Sequence, residues 1–312
     1  MQLDSPLQLV PEYRGYVWGG QRLRPGQVTA EAWVLYEGNR VAGGAFAGKT
    51  LAELAAQHSQ ALLGSSAARR TGTRFPLLVK LLDCAQWLSL QVHPNDAQAV
   101  ELEGAGQNGK TEAWHILQAE EGAQIIAGMR AGVSAERLAE AVRFGSILDE
   151  AQFLPVSAGD TVFMPAGTIH ALGPGLLVYE VQQVSDITYR VFDWNRPLTA
   201  GRALHIEKSL AVANPAAVGQ VRRLQTGLER QGLAKCNYFR LELLDVQDEL
   251  ELTTSGESFH ALTVIEGEAE IITPGGMCRL GQYATALVPA ACQAYRVRPE
   301  GRVKALLATG AA

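Results

Sequence analysis

The sequence lacks several features that would place it in common functional classes. It has four cysteines, which lie far apart and form no Cys-x-x-Cys pair, so we expect buried, reduced thiols in a cytoplasmic protein. No apolar run has the length of a membrane span, and the first residues carry no basic segment typical of a secretory signal. No G-x-G-x-x-G or P-loop pattern occurs, so a nucleotide-based cofactor is not indicated.

An excess of positive charge is also missing. The 312 residues carry a net charge of −5, with a pI near 5.8, which argues against nucleic acid or an anionic membrane as a partner. An anionic ligand would therefore have to be attracted by local positive charge. A hydrophobic fraction of 47% is that of a globular protein with a sizeable core, and the length accommodates two domains.

The most informative stretch is residues 159–190. Gly159, Pro165, Gly167 and His170 have the spacing G-x5-P-x-G-x2-H, which predicts a strand, a Pro-Gly turn and a second strand that begins at a histidine. Imidazole is a common metal ligand. The spacing resembles the second conserved motif of the cupin family of small β-barrels, which implies further metal ligands elsewhere in the chain.

Two other segments supply candidate ligands. In LSLQVHPND, Gln91 and His93 are two residues apart and so share one face of a strand. In GKTEAWHIL, Glu112 shares a face with Lys110 in the same way, so that an ion pair between the two is the simpler alternative to metal binding. With His170, these side chains make a plausible set of two imidazoles, one carboxylate and one amide, which suits a catalytic zinc with an open position.

The order of the motifs makes the family resemblance more specific. QVHP, GKTE-W-IL, PAGTIHAL and YEVQQ-SD-TYR-FD follow one another, with YVWGG before them and ALHIEKSL after them. This series resembles that of the type I phosphomannose isomerases in their short bacterial form, over roughly the first 210 residues. The resemblance implies a zinc-dependent aldose-ketose isomerase, with one Zn²⁺ per chain, that interconverts mannose 6-phosphate and fructose 6-phosphate through an enediolate. A small sugar phosphate is the implied partner, and no oligomeric state is indicated.

Charged residues close to these ligands are candidates for catalysis. Glu180 and Arg190 flank a predicted turn at Ser185-Asp186, so we predict that they face each other across a hairpin. Glu180 is our first candidate for the general base, and Lys110 with a lowered pKa is the second. Arg190 would stabilise the developing enediolate.

Substrate binding has further candidates. Lys110 and Arg190 carry the charge that a phosphate or an enediolate needs, and Ser89 precedes Gln91 by one strand step, at a family position near the phosphate. Three basic residues in less regular sequence are additional candidates for phosphate binding: Arg196, Arg202 and Lys208.

The predicted fold is mainly β, with two cupin-type jelly-roll barrels and helical insertions in the N-terminal half. We expect a metal-binding catalytic domain at 1–208, a linker at 209–234 and a C-terminal domain at 235–312. The last contains GESFHALTVIEGEAEI and GQYATALVPAACQAY, which look like a cupin repeat without its ligands. Pro289 is followed by no nearby histidine and His260 stands alone, so this domain should bind no metal and have a structural or lid role.

Three alternatives remain open from the sequence. A non-catalytic sugar-binding or regulatory cupin would keep the fold and could lose ligands, but here all the ligand positions are present together with Lys110 and Arg190. An iron-dependent cupin oxygenase usually has more histidines in its site. An isomerase for another sugar phosphate would have the same motifs, because side-chain positions around the sugar hydroxyls decide the substrate.

Overall fold

The computed structural model describes residues 2–197 and 202–310, in which β-strands predominate. The strands are β1 (Leu7–Val10), β2 (Glu12–Arg14), β3 (Glu31–Leu35), β4 (Arg40–Val41), β5 (Leu77–Cys84), β6 (Leu90–Val92), β7 (Glu112–Ala119), β8 (Gln124–Met129), β9 (Ala151–Pro155), β10 (Thr161–Met164), β11 (His170–Leu172), β12 (Leu176–Gln183), β13 (Tyr189–Phe192), β14 (Gln220–Arg222), β15 (Arg230–Lys235), β16 (Phe239–Val246), β17 (Leu250–Thr253), β18 (His260–Glu266), β19 (Ala269–Thr273), β20 (Gly276–Leu280), β21 (Thr285–Val288), β22 (Ala294–Pro299) and β23 (Val303–Gly310).

The helices interrupt mainly the N-terminal half. They are α1 (Leu51–Leu63), α2 (Ser65–Thr71), α3 (Asp96–Glu103), α4 (Ala135–Phe144), α5 (Ile147–Glu150) and α6 (Ile206–Val212). The helical insertions predicted for the N-terminal half are confirmed. Thr50, Asn95 and Ser134 each accept a hydrogen bond from a backbone N–H of the first helical turn, because a short polar side chain satisfies a donor that has no partner within the helix.

Two compact units divide the chain. The terminal unit comprises Met1–Glu12, Trp33–Lys80 and Gln225–Ala312, and the central unit comprises Tyr13–Ala32 and Leu81–Leu224. The predicted division at 208 and 235 differs from this one, because β1 pairs with β21 and so belongs with the C-terminal strands. The predicted linker, 209–234, contains the end of α6, all of β14 and most of β15.

The strands of the central unit lie in two sheets. One has the order β14-β10-β7-β12-β5-β3-β2, and the other has the order β13-β6-β11-β8-β9. Side chains from both sheets, among them Trp114, Ile125, Val162 and Val178, form one buried cluster. Every residue of β12 is buried, including Glu180 and Gln182, because both faces of the strand are covered.

The terminal unit also contains two sheets, with the orders β15-β16-β23-β18-β21-β1-β4 and β17-β22-β19-β20. Its core includes Leu262, Ile271, Val297 and Leu307. A mainly β fold with helical insertions is therefore confirmed, whereas the closure of the sheets into two jelly-roll barrels stays a prediction. No helix in the described part of the chain has the length and apolarity needed to cross a membrane.

The hairpin that we predicted between Glu180 and Arg190 is wrong. Glu180 lies on β12, which pairs with β7, whereas Arg190 lies on β13, which pairs with β6 in the other sheet. Residues 184–188 form no strand and lead the chain from one sheet to the other. The alternation of residues along a strand does not reveal which strand is its neighbour.

Candidate active site

The predicted ligands come together in the central unit. Gln91 lies on β6 with His93 just after its end, Glu112 begins β7, and His170 begins β11. His170 pairs directly with Gln91 across the strands, and Glu112 pairs with Met164 on β10 at the end of the strand that leads into the Pro-Gly turn. The two sheets therefore present these four side chains to one another.

Three of the side chains form a buried group with the geometry of a metal site. Donor atoms of His93, Glu112 and His170 all lie within 4.8 Å of one another. The Nε2 atom of His93 is 3.7 Å from Oε2 of Glu112, and Nε2 of His170 is 3.3 Å from Oε1. Each residue is at most 1% exposed, and a carboxylate buried beside two imidazoles needs a cation to balance it.

The imidazoles have the tautomer that binds metals. Nδ1–H of His93 donates to the carbonyl of Ile187, and Nδ1–H of His170 donates to the carbonyl of Thr168, both at 2.8 Å. Each ring therefore directs an unprotonated Nε2 towards Glu112, as is usual for metal-binding histidines. Burial, followed by the charge of Lys110, lowers the pKa of His170 to about 4, so this ring is neutral at physiological pH.

Lys110 supplies the positive charge beside the carboxylate. It lies just before β7, is 4% exposed, and its Nζ is 2.7 Å from Oε2 of Glu112 and 3.1 Å from Nε2 of His93. The ion pair that the sequence left open as an alternative is therefore present. A metal ion bound by His93 and Glu112 would compete with Lys110 for the same two atoms. Nζ of Lys110 is also 3.7 Å from Oε1 of Glu180, which is 4% exposed.

Gln91 provides the fourth potential donor. Its amide Nε2 is 3.3 Å from Nε2 of His170, and the residue is half-buried. Rotation of the amide about its last bond would bring Oε1, the oxygen that binds metals, to this position.

Arg190 lies on the other side of Gln91. The two residues are cross-strand neighbours on β13 and β6, so their side chains share a face of the sheet. Nε of Arg190 is buried without a hydrogen-bond partner in the described part of the chain. Burial, followed by the charge of Arg202, lowers the pKa of Arg190. Arg202 itself donates to Oγ of Ser89 at 3.2 Å, so two guanidinium groups and a hydroxyl lie in the same region.

Comparison with known proteins shows similarity in both sequence and fold. A family model described as the phosphomannose isomerase type I catalytic domain matches residues 7–115, which include Ser89, Gln91, His93, Lys110 and Glu112. The mannose-6-phosphate isomerase of Streptococcus mutans is 36% identical over 285 residues, which is 86% of this chain and 87% of that protein. The chain belongs to the type I phosphomannose isomerase family.

Other members of this family agree over most of their length. Mannose-6-phosphate isomerase ManA of Bacillus subtilis is 34% identical over 86% of this chain and 88% of its own. The crystal structure of the Bacillus subtilis mannose 6-phosphate isomerase superposes with a TM-score of 0.87 at 32% identity, covering 97% of this chain and 99% of that one. A putative mannosephosphate isomerase from Archaeoglobus fulgidus gives a TM-score of 0.77 at 25% identity, over 98% of both chains.

Some residues of the site were missed in the sequence. Asp193 accepts from Arg196 and Arg202, both at 2.8 Å, and so fixes two of the predicted phosphate candidates; its position next to Phe192 in the family motif was the available signal. The carbonyls of Thr168 and Ile187 orient the two imidazoles, and since they belong to the backbone no residue type could indicate them. Lys208 pairs instead with Glu103 at 2.6 Å.

Proposed function

We propose that this chain is a mannose-6-phosphate isomerase, which interconverts mannose 6-phosphate and fructose 6-phosphate with one bound zinc ion. The observation that carries the proposal is the convergence of two unprotonated Nε2 atoms and one carboxylate in a buried group, in a chain of this family. Membership of the family supports the reaction, and the donor set supports the metal.

The donors that we assign to the metal are Gln91, His93, Glu112 and His170. Two nitrogens and a carboxylate oxygen suit Zn²⁺, which is usually bound by three or four protein groups with a position left for water or substrate when the site is catalytic. Bound there, zinc would polarise the substrate oxygens and offset the negative charge of the enediolate. Glu112 is the one anion in the donor set, which leaves the site net positive for an anionic intermediate.

The proton transfer requires a base that is unprotonated at neutral pH. In the direction from mannose 6-phosphate, the base removes the proton from C2 and returns it to C1, while the hydroxyl proton passes from O2 to O1. Nothing is oxidised overall, so no electron carrier is needed. Nζ of Lys110 lies 2.7 Å from Glu112 and 3.1 Å from Nε2 of His93, so this amine is already in contact with two of the proposed metal ligands. Glu180, at 3.7 Å from Lys110, is therefore the better candidate for the base.

The substrate anions have their own donors. We assign stabilisation of the enediolate to Arg190, which is next to Gln91 and has a buried Nε to offer. A guanidinium group directed at the negative charge that develops on the enediolate oxygens is an effective hydrogen-bond donor to them. Ser89 and Arg202, which are already hydrogen-bonded to each other, are assigned to the phosphate, with Lys110 close enough to contact the sugar.

The positions of these residues decide to which unit we assign the catalysis. All of them belong to the central unit, to which we assign the catalysis. We further propose that the paired sheets of each unit form cupin-type barrels, and that the strands from 235 to 312 bind no metal. In that region His260 has a tyrosine, and no second metal-binding side chain, as its hydrogen-bond partner within the described residues.

Isomerase activity and metal content test this proposal together. Purified protein should convert mannose 6-phosphate into fructose 6-phosphate and back, and it should hold about one zinc per chain by elemental analysis. Dialysis against a chelator should abolish the activity, and zinc should restore it. Protein with a full complement of metal that exchanges neither sugar phosphate, but does exchange another aldose-ketose phosphate pair, would refute the assigned substrate. Activity that survives complete removal of metal would refute the assigned cofactor.

A further inference from the structure

The terminal unit contains a polar cavity of its own. Its volume is about 220 Å³, smaller than the pockets that hold drug-sized ligands. It lies where the loop before β18 meets the ends of β15, β16 and β23. Every lining residue except one glycine has a polar or charged side chain; the set is Arg230, Arg240, Glu242, Thr253, Thr254, Ser255, Glu257, Ser258, His260, Thr309 and Gly310.

Ser258 is the unusual member of this lining. The residue is 7% exposed, yet its Oγ has no hydrogen-bond partner among the described residues. The nearby hydroxyl of Thr254, by contrast, donates to the carbonyl of Ala290 at 2.8 Å. A buried hydroxyl without a partner is destabilising, and such groups are rare in folded proteins. A ligand in the cavity would give Ser258 the hydrogen bond that the protein does not.

His260 contributes a second polar side chain to the cavity, and one of its two ring nitrogens is hydrogen-bonded within the protein. It begins β18, at the position where the sequence resembles the first motif of a cupin repeat. Its Nδ1 lies 2.7 Å from the hydroxyl of Tyr295, and burial lowers its pKa to about 4, so the ring is neutral at pH 7. Nε2 has no hydrogen-bond partner in the described part of the chain and remains available to a ligand.

The formal charges of the lining cancel. Arg230 donates two hydrogen bonds to Glu242, at 3.2 and 2.7 Å. Arg240 adds one positive charge and Glu257 one negative charge, and His260 is neutral. The cavity therefore offers many donors and acceptors in a small volume, with no net charge to attract an ion and no apolar wall to bind a hydrophobic group.

From this geometry we infer that the cavity is a binding site for a small, neutral polyhydroxy compound, of the size of a monosaccharide or a hexitol. Hydroxyl groups both donate and accept, so they match a lining that mixes guanidinium, carboxylate, imidazole and hydroxyl groups. The inference concerns the terminal unit alone and does not depend on the proposed isomerase activity.

Binding of D-mannitol and D-mannose to the zinc-loaded full chain tests the site, measured by saturation-transfer NMR and calorimetry. We expect saturable binding that Ser258→Ala weakens about three- to tenfold, the value of one hydrogen bond. Because Oγ of Ser258 makes no internal hydrogen bond, this variant should melt at the wild-type temperature or slightly above it. Arg240→Ala, a substitution at an exposed position, should also weaken binding. Arg190→Ala in the central unit should leave it unchanged.

Three results would overturn the inference. One is the absence of saturable binding of either compound. Another is binding that Arg190→Ala abolishes and that Ser258→Ala and Arg240→Ala leave intact, which would place the polyol in the central unit. The third is a Ser258-dependent preference for mannose 6-phosphate or inorganic phosphate over mannitol, since this would make the site an anion site.

Discussion

The substitution Glu180→Gln tests the role of the proposed base without changing any of the proposed metal ligands. Glutamine keeps the size of the side chain and some of its hydrogen bonding but cannot accept the substrate proton. Loss of a general base lowers rates by about 10²- to 10⁴-fold, so we expect kcat to fall by about 10³-fold with KM close to wild type. Metal content should be unchanged, because Glu180 is outside the group of donors that lie within 4.8 Å of one another.

The variant should also remain folded. Oε1 of Glu180 is 3.7 Å from Nζ of Lys110, a separation at which the gross attraction is about 4 to 5 kcal/mol at an effective dielectric constant of about 20. Most of this is offset by the cost of burying the carboxylate, which the amide does not incur to the same degree. Lys110 keeps its closer partner, Glu112, at 2.7 Å. The net loss of stability should be about 1 to 2 kcal/mol.

Two measurements give the result. The first is the rate of conversion of mannose 6-phosphate, and the second is the release of deuterium from C2-deuterated substrate into water, followed by NMR. If Glu180 removes the C2 proton, both rates fall in parallel while zinc stays bound. A kcat within tenfold of wild type, with metal present, would refute the assignment, and the same assays on Lys110→Gln would then test the second candidate.

Three further predictions concern the neighbouring residues. Glu112→Gln should reduce bound zinc to well below one per chain and abolish activity, whereas the protein would retain its metal if Glu112 served only as the partner of Lys110. Arg190→Ala should lower kcat by about 10²-fold or more with little change in KM, and Arg190→Lys should stay impaired because it loses the planar fork; a raised KM with a near-normal kcat would indicate a phosphate contact instead. The pKa of His170 is lowered to about 4, so between about pH 4 and pH 6.5 the unfolded chain binds a proton that the folded chain does not. The contribution of neutral His170 to the free energy of unfolding is therefore complete above about pH 6.5 and is lost as the pH falls towards 4. His170 alone should thus make metal-free protein about 2 kcal/mol less stable in urea at pH 5 than at pH 7, and His170→Gln should remove this part of the pH dependence.

The candidate ligand set was predictable because each proposed ligand is a side chain in a short, ordered pattern. Gln91 and His93 are separated by a strand step, and His170 follows a Pro-Gly turn, so local rules place them on strand faces without knowledge of the fold. The three helix starts at Thr50, Asn95 and Ser134 were predictable for the same reason, since a cap and its helix are neighbours in sequence.

Features that depend on distant pairing were not predictable in this way. Alternation along β12 and β13 could not show which strands are the neighbours of Glu180 and Arg190, and the two strands lie in different sheets. The unit boundaries were missed because β1 pairs with β21, some 280 residues along the chain. The contact between Ser89 and Arg202 likewise joins segments whose separation in sequence carries no local signal.

The carbonyls of Ile187 and Thr168 have a consequence for how this site can vary among related sequences. Because main-chain oxygens set the tautomers of both histidines proposed to bind the metal, the hydrogen bonds that orient the rings do not depend on the side chains at these two positions. At Thr168, which is 0% exposed, packing and not this hydrogen bond would limit the choice of residue. A deletion or a proline within 184–188 would turn the carbonyl of Ile187 away from His93. Changes in this loop could therefore lower the affinity for the metal even when every proposed ligand is present.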